Sequence, residues 1–316
     1  MFLTDRPGIT IVDGGLSTQL EVMGYDISGP LWTGRALLEQ PGAIEGAHRA
    51  FVEAGADVLI TASYQVSRAG FIAAGLTADD ADRCLLRSVE VARAAGAPST
   101  IVAASVGPYG AIGHDGAEYR GNYGLSARQL RDFHRPRIEI LAGGSPDLLA
   151  IETIPDVREV EAIADILADF PLLPAWLAFS AADGAHTCAG QPIEAAISVA
   201  AAIASVQLVG INCTAPQFIP ELLGRITATT EKAVIVYPNA GGVWSAQNGS
   251  WREVPPAMVA AAAASWVELG ATWVGGCCGT DATAISALRS AAPRAGSAPS
   301  GADLGWGVGK GRWHSS

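Results

Sequence analysis

A single (β/α)8 barrel is the fold expected from this sequence, on three grounds. Eight short apolar runs recur along it, Ala- and Leu-rich helical stretches alternate with them, and polar residues collect where the runs end. The runs read as continuous apolar blocks, as parallel strands covered on both faces do. A chain of 316 residues with 49% hydrophobic and 16% charged residues has the length and apolar content for one such barrel. Periodicity alone does not separate it from a doubly wound open sheet. The strand ends favour closure, because in a barrel all eight meet on one face.

The first run, 9–13, ends in Asp13 and turns through Gly14-Gly15 into a helical pattern. A helical pattern over 43–55 leads to the second run, 56–62, which continues Thr61-Ala62-Ser63-Tyr64. Helix 78–95 leads to run 100–106 with Ser105 near its end, and helix 127–143 leads to run 147–152, which ends Glu152-Thr153. Helix 157–169 precedes run 173–179, followed by Ser180. The uncharged stretch 195–220 has the length of a membrane span, but Gln207, Asn212, Pro216 and Pro220 divide it into helix, strand 207–212 and loop. Runs 233–237 and 272–276 complete the set and lead to Asn239 and Cys277-Cys278. Residues 1–292 are expected to form the barrel domain. Residues 293–316, rich in Gly, Ser, Ala and Pro, are expected to form a flexible tail on which Trp306 and Trp313 could still dock.

A net charge of -11 with no Lys/Arg cluster disfavours nucleic acid, which requires a basic stripe. Asp5 and Arg6 interrupt any apolar N-terminal stretch, so no signal peptide is expected. Five cysteines, an odd number, fit a reducing cytoplasm. The expected partners are small-molecule substrates, with no membrane, on a monomer or small homo-oligomer.

Chemistry concentrates in three cysteines. Cys213 in Gly210-Ile211-Asn212-Cys213 and the pair in Gly275-Gly276-Cys277-Cys278 each follow a predicted strand, 64 residues apart. Three thiolates without a fourth Cys or His at finger-like spacing point to an open metal site, and their softness favours zinc. A redox pair is the competing reading, though vicinal cysteines lack the usual Cys-x-x-Cys spacing. Cys84 reads as a small core residue and Cys188 as an incidental loop residue. Asp13 is set against a phosphate loop by its charge and suits an amine, while Glu152 could equally form a salt bridge to a helix. Trp32 and Tyr64 are core filler by default, but an aromatic face also attracts a sulfonium or ammonium. His48, His114 and His134 have no ligand or triad spacing and are expected to be structural or surface residues.

The motifs resemble those of the homocysteine S-methyltransferases, and within them the small enzymes that use S-methylmethionine. The matching segments include Asp13-Gly14-Gly15, Leu31-Trp32, Thr61-Ala62-Ser63-Tyr64-Gln65, Ser105-Val106-Gly107-Pro108-Tyr109-Gly110 and Glu118-Tyr119-Arg120-Gly121. Phe133-His134-Arg135-Pro136-Arg137, Glu152-Thr153, Tyr237-Pro238-Asn239 and both cysteine segments match as well, over about 9–291. The resemblance implies a barrel, Zn2+ held by Cys213, Cys277 and Cys278, and Asp13 and Glu152 holding the amino-acid part of homocysteine near the Gly14 backbone. It carries Thr61 over through the second-strand motif, matches Trp32 to a position that lines the donor pocket in the betaine-using branch, and matches Tyr64 by position only. The chain lacks the long extension of the betaine branch and the cobalamin modules of large methionine synthases, so the implied donor is small and diffusible. S-Adenosylmethionine or betaine as donor and selenocysteine as acceptor stay open. So do a zinc lyase or hydrolase using metal-bound water and a noncatalytic zinc protein.

Overall fold

Eight parallel strands close around one axis, and the two ends of the chain's sheet meet at a narrow seam. The computed structural model describes residues 8–27, 29, 31–113, 115–241, 243–245, 250–252 and 258–292. The expected tail 293–316 and His114 lie outside the described residues.

The strands are β1 (Thr10–Ile11), β2 (Val58–Ile60), β3 (Ile101–Val106), β4 (Leu148–Ile154), β5 (Ala175–Phe179), β6 (Val206–Asn212), β7 (Ala233–Tyr237), β8 (Val243–Ser245), β9 (Ser250–Arg252) and β10 (Ala271–Val274). The barrel order is β1-β10-β7-β6-β5-β4-β3-β2, every neighbouring pair parallel. Closure comes at Val12, which bridges Val58 in parallel. The Asp13 amide donates to Val58 O at 3.1 Å, and the Asp13 side chain accepts from the Ile60 amide at 2.9 Å, so a carboxylate continues the ladder where the backbone leaves it. The first strand is therefore shorter than the expected 9–13.

Helices α1 (Leu16–Val22), α2 (Trp32–Glu39), α3 (Pro41–Glu53), α4 (Arg68–Ala73), α5 (Ala78–Ala95), α6 (Ala127–Gly143), α7 (Val157–Leu167), α8 (Ile193–Ala201), α9 (Ile219–Thr229), α10 (Met258–Glu268) and α11 (Ala282–Ala291) connect the strands. The two longest, α5 and α6, begin at capping boxes, Thr77 with Asp80 and Ser126 with Gln129. Such a cap satisfies otherwise orphaned amides and stabilises a helix start by about 1 kcal/mol. The antiparallel hairpin of β8 and β9 lies in the connection from β7 to α10 and was not expected from the sequence.

Alternation along each strand builds two cores. Val12, Val58, Ile101, Ala103, Leu148, Ala150, Trp176, Leu208, Ile235 and Trp273 fill the barrel. Ile11, Leu59, Val102, Leu149, Ile151, Leu177, Val209 and Val236 face outward onto the helices, where Phe51, Leu85, Ile138, Ile163 and Leu223 pack. A strand buried on both sides has no polar face to show, hence the continuous apolar runs. Among the described residues no helix is long and apolar enough to cross a membrane.

Candidate active site

The site is assembled at the C-terminal ends of the strands. In the turn from β1 to α1, a Cβ on Gly14 would lie 2.4 Å from Thr280 O, and one on Gly15 would lie 2.6 Å from Cys277 O. Only glycines allow this turn to press against the loop after β10. The contact is sealed by Gly15 N donating to Thr280 O at 2.8 Å, Gly276 N to Asp13 O at 3.1 Å and Gly279 N to Thr18 Oγ1 at 3.0 Å. Cys277 N donates to Pro238 O at 2.8 Å and Cys213 N to Tyr237 O at 3.3 Å, so both cysteine segments hang from the end of β7.

The three expected sulfurs converge, all within 4.8 Å of one another. They are not three thiols, however. Cys213 and Cys277 are joined in a disulfide across Cα atoms 5.5 Å apart, and Cys278 Sγ lies 4.0 Å from Cys277 Sγ. The proximity that would let three donors share one ion also lets two of them bond. As reduced thiolates the trio is a soft donor set able to hold a metal ion. The other two cysteines are not part of this trio: Cys84 is buried in α5, and Cys188 is half-buried in the loop after β5.

Glu152 lies at a register shift in β4, between Ile151 and Ile154. Its partners come from other strands, the adjacent β3 and the more distant β7, not from a helix salt bridge. Ser105 Oγ donates to Oε1, and the Tyr237 hydroxyl donates to Oε2 at 3.0 Å while accepting from Trp176 Nε1 at 2.9 Å. Burial pushes its carboxyl up to about 7, against those hydrogen bonds. Asp13 is 1% exposed and lies beneath the cavity lining, with Oδ1 unpartnered. Burial holds its carboxyl well above the usual range. The Ile60 amide opposes that rise, and the charge of Glu152 adds to it.

A cavity of about 170 Å3 opens above these groups. Gly14, Thr61, Trp32, Tyr64, Glu152, Cys213, Cys277 and Cys278 all line it. The Thr61 hydroxyl is already engaged, accepting from Ser105 N at 3.0 Å and meeting Ser63 Oγ at 2.7 Å. Trp32 begins α2 with a φ of +40°, and both Thr153 (+59°) and Cys213 (+45°) are also left-handed. Each such residue costs about 1–3 kcal/mol, and all three line the cavity, the usual location for stored strain. Tyr64 is half-buried, and desolvation together with the charge of Glu118 pushes its phenol up.

Sequence reasoning gave no role to Glu118 or Tyr119. Both line the cavity from a short 3₁₀ turn, Ala117–Tyr119, and Tyr119 hydrogen-bonds with Cys278. Of the three histidines singled out in the sequence, the two described ones, His48 and His134, are buried and lie outside the cavity lining. His48 is wholly buried with its ring pulled down to about 4 by burial, and His134 Nε2 meets the buried Glu159 at 2.7 Å.

Comparison with known proteins finds relatives over most of the chain. A family model described as homocysteine S-methyltransferase matches residues 10–292. The chain is 39% identical to Homocysteine S-methyltransferase 4 of Zea mays over 92% of this chain and 91% of that one. It is 40% identical to Homocysteine S-methyltransferase YbgG of Bacillus subtilis (strain 168), over 88% and 92%. Among solved structures, the Escherichia coli homocysteine methyltransferase MmuM in its metallated form superposes with a TM-score of 0.83 at 36% identity, covering 91% of this chain and 98% of that one. Its oxidized form gives 0.82 at 37%, covering 91% and 97%.

Proposed function

The chain belongs to the homocysteine S-methyltransferase family, and from that premise we propose that it moves a methyl group from a sulfonium donor to the thiol of L-homocysteine, forming methionine. S-Methylmethionine is the donor this reading puts first, ahead of S-adenosylmethionine. The observation that carries it is the juxtaposition, around one cavity, of three cysteine sulfurs with buried carboxyl groups.

The metal is proposed to be Zn2+, held by Cys213, Cys277 and Cys278. Zinc–sulfur bonds of about 2.3 Å set tetrahedral donors about 3.8 Å apart, close to the 4.0 Å between Cys277 and Cys278. Cys213 and Cys277 must first be reduced, which a reducing cytoplasm would maintain. When bound, zinc would keep an acceptor sulfur as thiolate at neutral pH, where a free thiol is mostly protonated. That MmuM exists in metallated and oxidized forms supports the same alternation here.

The remaining work falls to side chains. Asp13 and Glu152 receive the ammonium of homocysteine beside the Gly14 backbone. Both carboxyls are raised by burial, so an arriving cation is favoured by two groups that gain charge with it. Trp32 and Tyr64 offer aromatic surface to the sulfonium, an attraction worth up to about 2 kcal/mol when desolvated. The thiolate sulfur attacks the methyl carbon, the new S–CH3 bond forms as the donor's S+–CH3 bond breaks, and the donor leaves as a neutral thioether. The acceptor's thiol proton has already gone to solvent. With S-methylmethionine both products are methionine. No side-chain base is needed in the transfer, and in-line positioning supplies much of the rate.

The test is to incubate reduced, zinc-loaded protein with homocysteine and S-methylmethionine, S-adenosylmethionine or betaine, and to follow methionine. Methionine from a sulfonium donor supports the reading. No methionine from any sulfonium, with the protein folded and loaded, would overturn it.

A further inference from the structure

We propose that Glu118 holds the α-ammonium group of the methyl donor and so selects a sulfonium that is also an amino acid. This inference rests on the methyl-transfer reading above and adds the donor's half of the cavity to it.

Glu118 is 6% exposed, lines the cavity, and leaves Oε2 buried without a partner. Among the described residues lining the cavity the only charged side chains are Glu118 and Glu152, with no Lys, Arg or His. A buried carboxylate oxygen left unpaired costs about 1–3 kcal/mol or more, a penalty that a bound N–H donor removes. Burial raises the Glu118 carboxyl. The adjacent Arg120 gives little relief, because it is half-exposed and pairs with Asp115 at 2.8 Å.

The carboxylate is built in, not left over from a loop. A Cβ on Gly110 would come within 2.6 Å of Glu118 N, so the turn carrying Glu118 rests directly on the backbone of the preceding 3₁₀ segment. Ser180 Oγ donates to Glu118 O at 3.3 Å from the far side. The next residue, Tyr119, reaches Cys278, so the turn runs from the sulfur cluster to the carboxylate in two residues.

The charge change in the reaction decides which cation Glu118 serves. Transfer from sulfonium to thiolate cancels both charges, so a carboxylate beside the sulfonium would favour the ground state over the transition state. An ammonium keeps its charge throughout, and a carboxylate beside it binds both states equally. Asp13 and Glu152 serve the acceptor's ammonium, and Glu118, the other carboxyl lining the cavity beside Glu152, is left for the second amino acid. A donor carrying a carboxylate in that position, such as betaine, would be repelled.

Glu118→Gln keeps shape and removes charge. The expected result is a rise of about tenfold or more in KM for S-methylmethionine, with kcat and the KM for homocysteine within about twofold. The second arm uses the deamino analogue of S-methylmethionine, which should bind the unaltered protein about tenfold or more weaker by calorimetry. Glu118→Gln should abolish that preference. A donor KM within twofold of the unaltered protein, or equal binding of the two sulfoniums by the unaltered protein, overturns the assignment. If Glu118→Gln does not fold, the deamino arm on the unaltered protein decides alone. Failure of the unaltered protein to make methionine from S-methylmethionine would defeat the underlying reading instead, a separate outcome from methionine formation that is indifferent to Glu118.

Discussion

Thr153 and Asn212 exchange two hydrogen bonds across the mouth of the barrel: the Thr153 amide donates to Asn212 Oδ1 at 2.7 Å, and Asn212 Nδ2 donates to Thr153 Oγ1 at 2.8 Å. Their strands, β4 and β6, are separated by β5. Thr153 follows Glu152 and Asn212 precedes Cys213, so this one pair fixes a carboxylate and a sulfur relative to each other. It also holds Thr153 at a φ of +59°.

Asn212→Ala leaves the Thr153 amide buried and unpaired. The expected cost is about 1–3 kcal/mol, read as a lower midpoint in urea unfolding, together with reduced methyl transfer. An unchanged midpoint would show that the pair does not brace the mouth.

Cys278→Ala should abolish both stoichiometric zinc and methionine formation, measured by metal analysis and by product assay. Full activity in a metal-free Cys278→Ala preparation would rule out the three-sulfur scheme.

The Cys213–Cys277 bond makes thiol counts diagnostic. Of five cysteines, unfolding without reductant should expose three thiols, and unfolding after reduction all five. Zinc uptake by the folded protein should require the reduced form. Uptake with only three thiols titrating would separate the metal from Cys213 and Cys277.

Glu152 gives a pH signature. Its carboxyl is raised from 4.5 to about 7 in the folded chain, so between those values the folded state holds more proton than the unfolded one. Its contribution to stability is full below about 4.5 and is lost as pH rises through about 7. Binding of an ammonium needs the ionised form and runs the other way. The Kd for methionine, which has no thiol to titrate, should fall as pH rises through about 7, and Glu152→Gln should flatten that profile in calorimetry. A flat profile in the unaltered protein would remove Glu152 from ammonium binding.

Asp13→Asn retains an oxygen to accept from the Ile60 amide but removes the charge. KM for homocysteine should rise about tenfold or more with the unfolding midpoint little changed, whereas Asp13→Ala should lower both affinity and stability. Equal KM values in Asp13→Asn and the unaltered protein would confine Asp13 to a structural role.

Much of this was legible in the residues. Helices 78–95 and 127–143 match α5 and α6, whose starts the structure fixes with capping boxes, and run 233–237 matches β7 residue for residue. The first strand, Thr10–Ile11, is shorter than the apolar run 9–13 because Asp13 replaces backbone pairing with its side chain, which periodicity does not register. The hairpin of β8 and β9 was missed because three-residue strands give too little pattern to find. The sulfurs could be grouped by their positions at strand ends, but bonding between two of them depends on a separation that only the closed barrel creates. Glu118 follows no strand. Its place in the cavity comes from a turn seated on Gly110, a contact that no spacing rule describes.

The seam between β1 and β2 has a consequence for how the molecule senses its cargo. Asp13 Oδ2 is the stitch that carries the first strand onto the Ile60 amide, and Oδ1 of the same carboxylate is the half left over. An amine seated on that spare oxygen would share the carboxylate with the stitch, so occupying the site and fastening the barrel would become a single equilibrium. The Ile60 proton, slow or quick to trade with deuterated solvent, is the place where an incoming guest would first be felt.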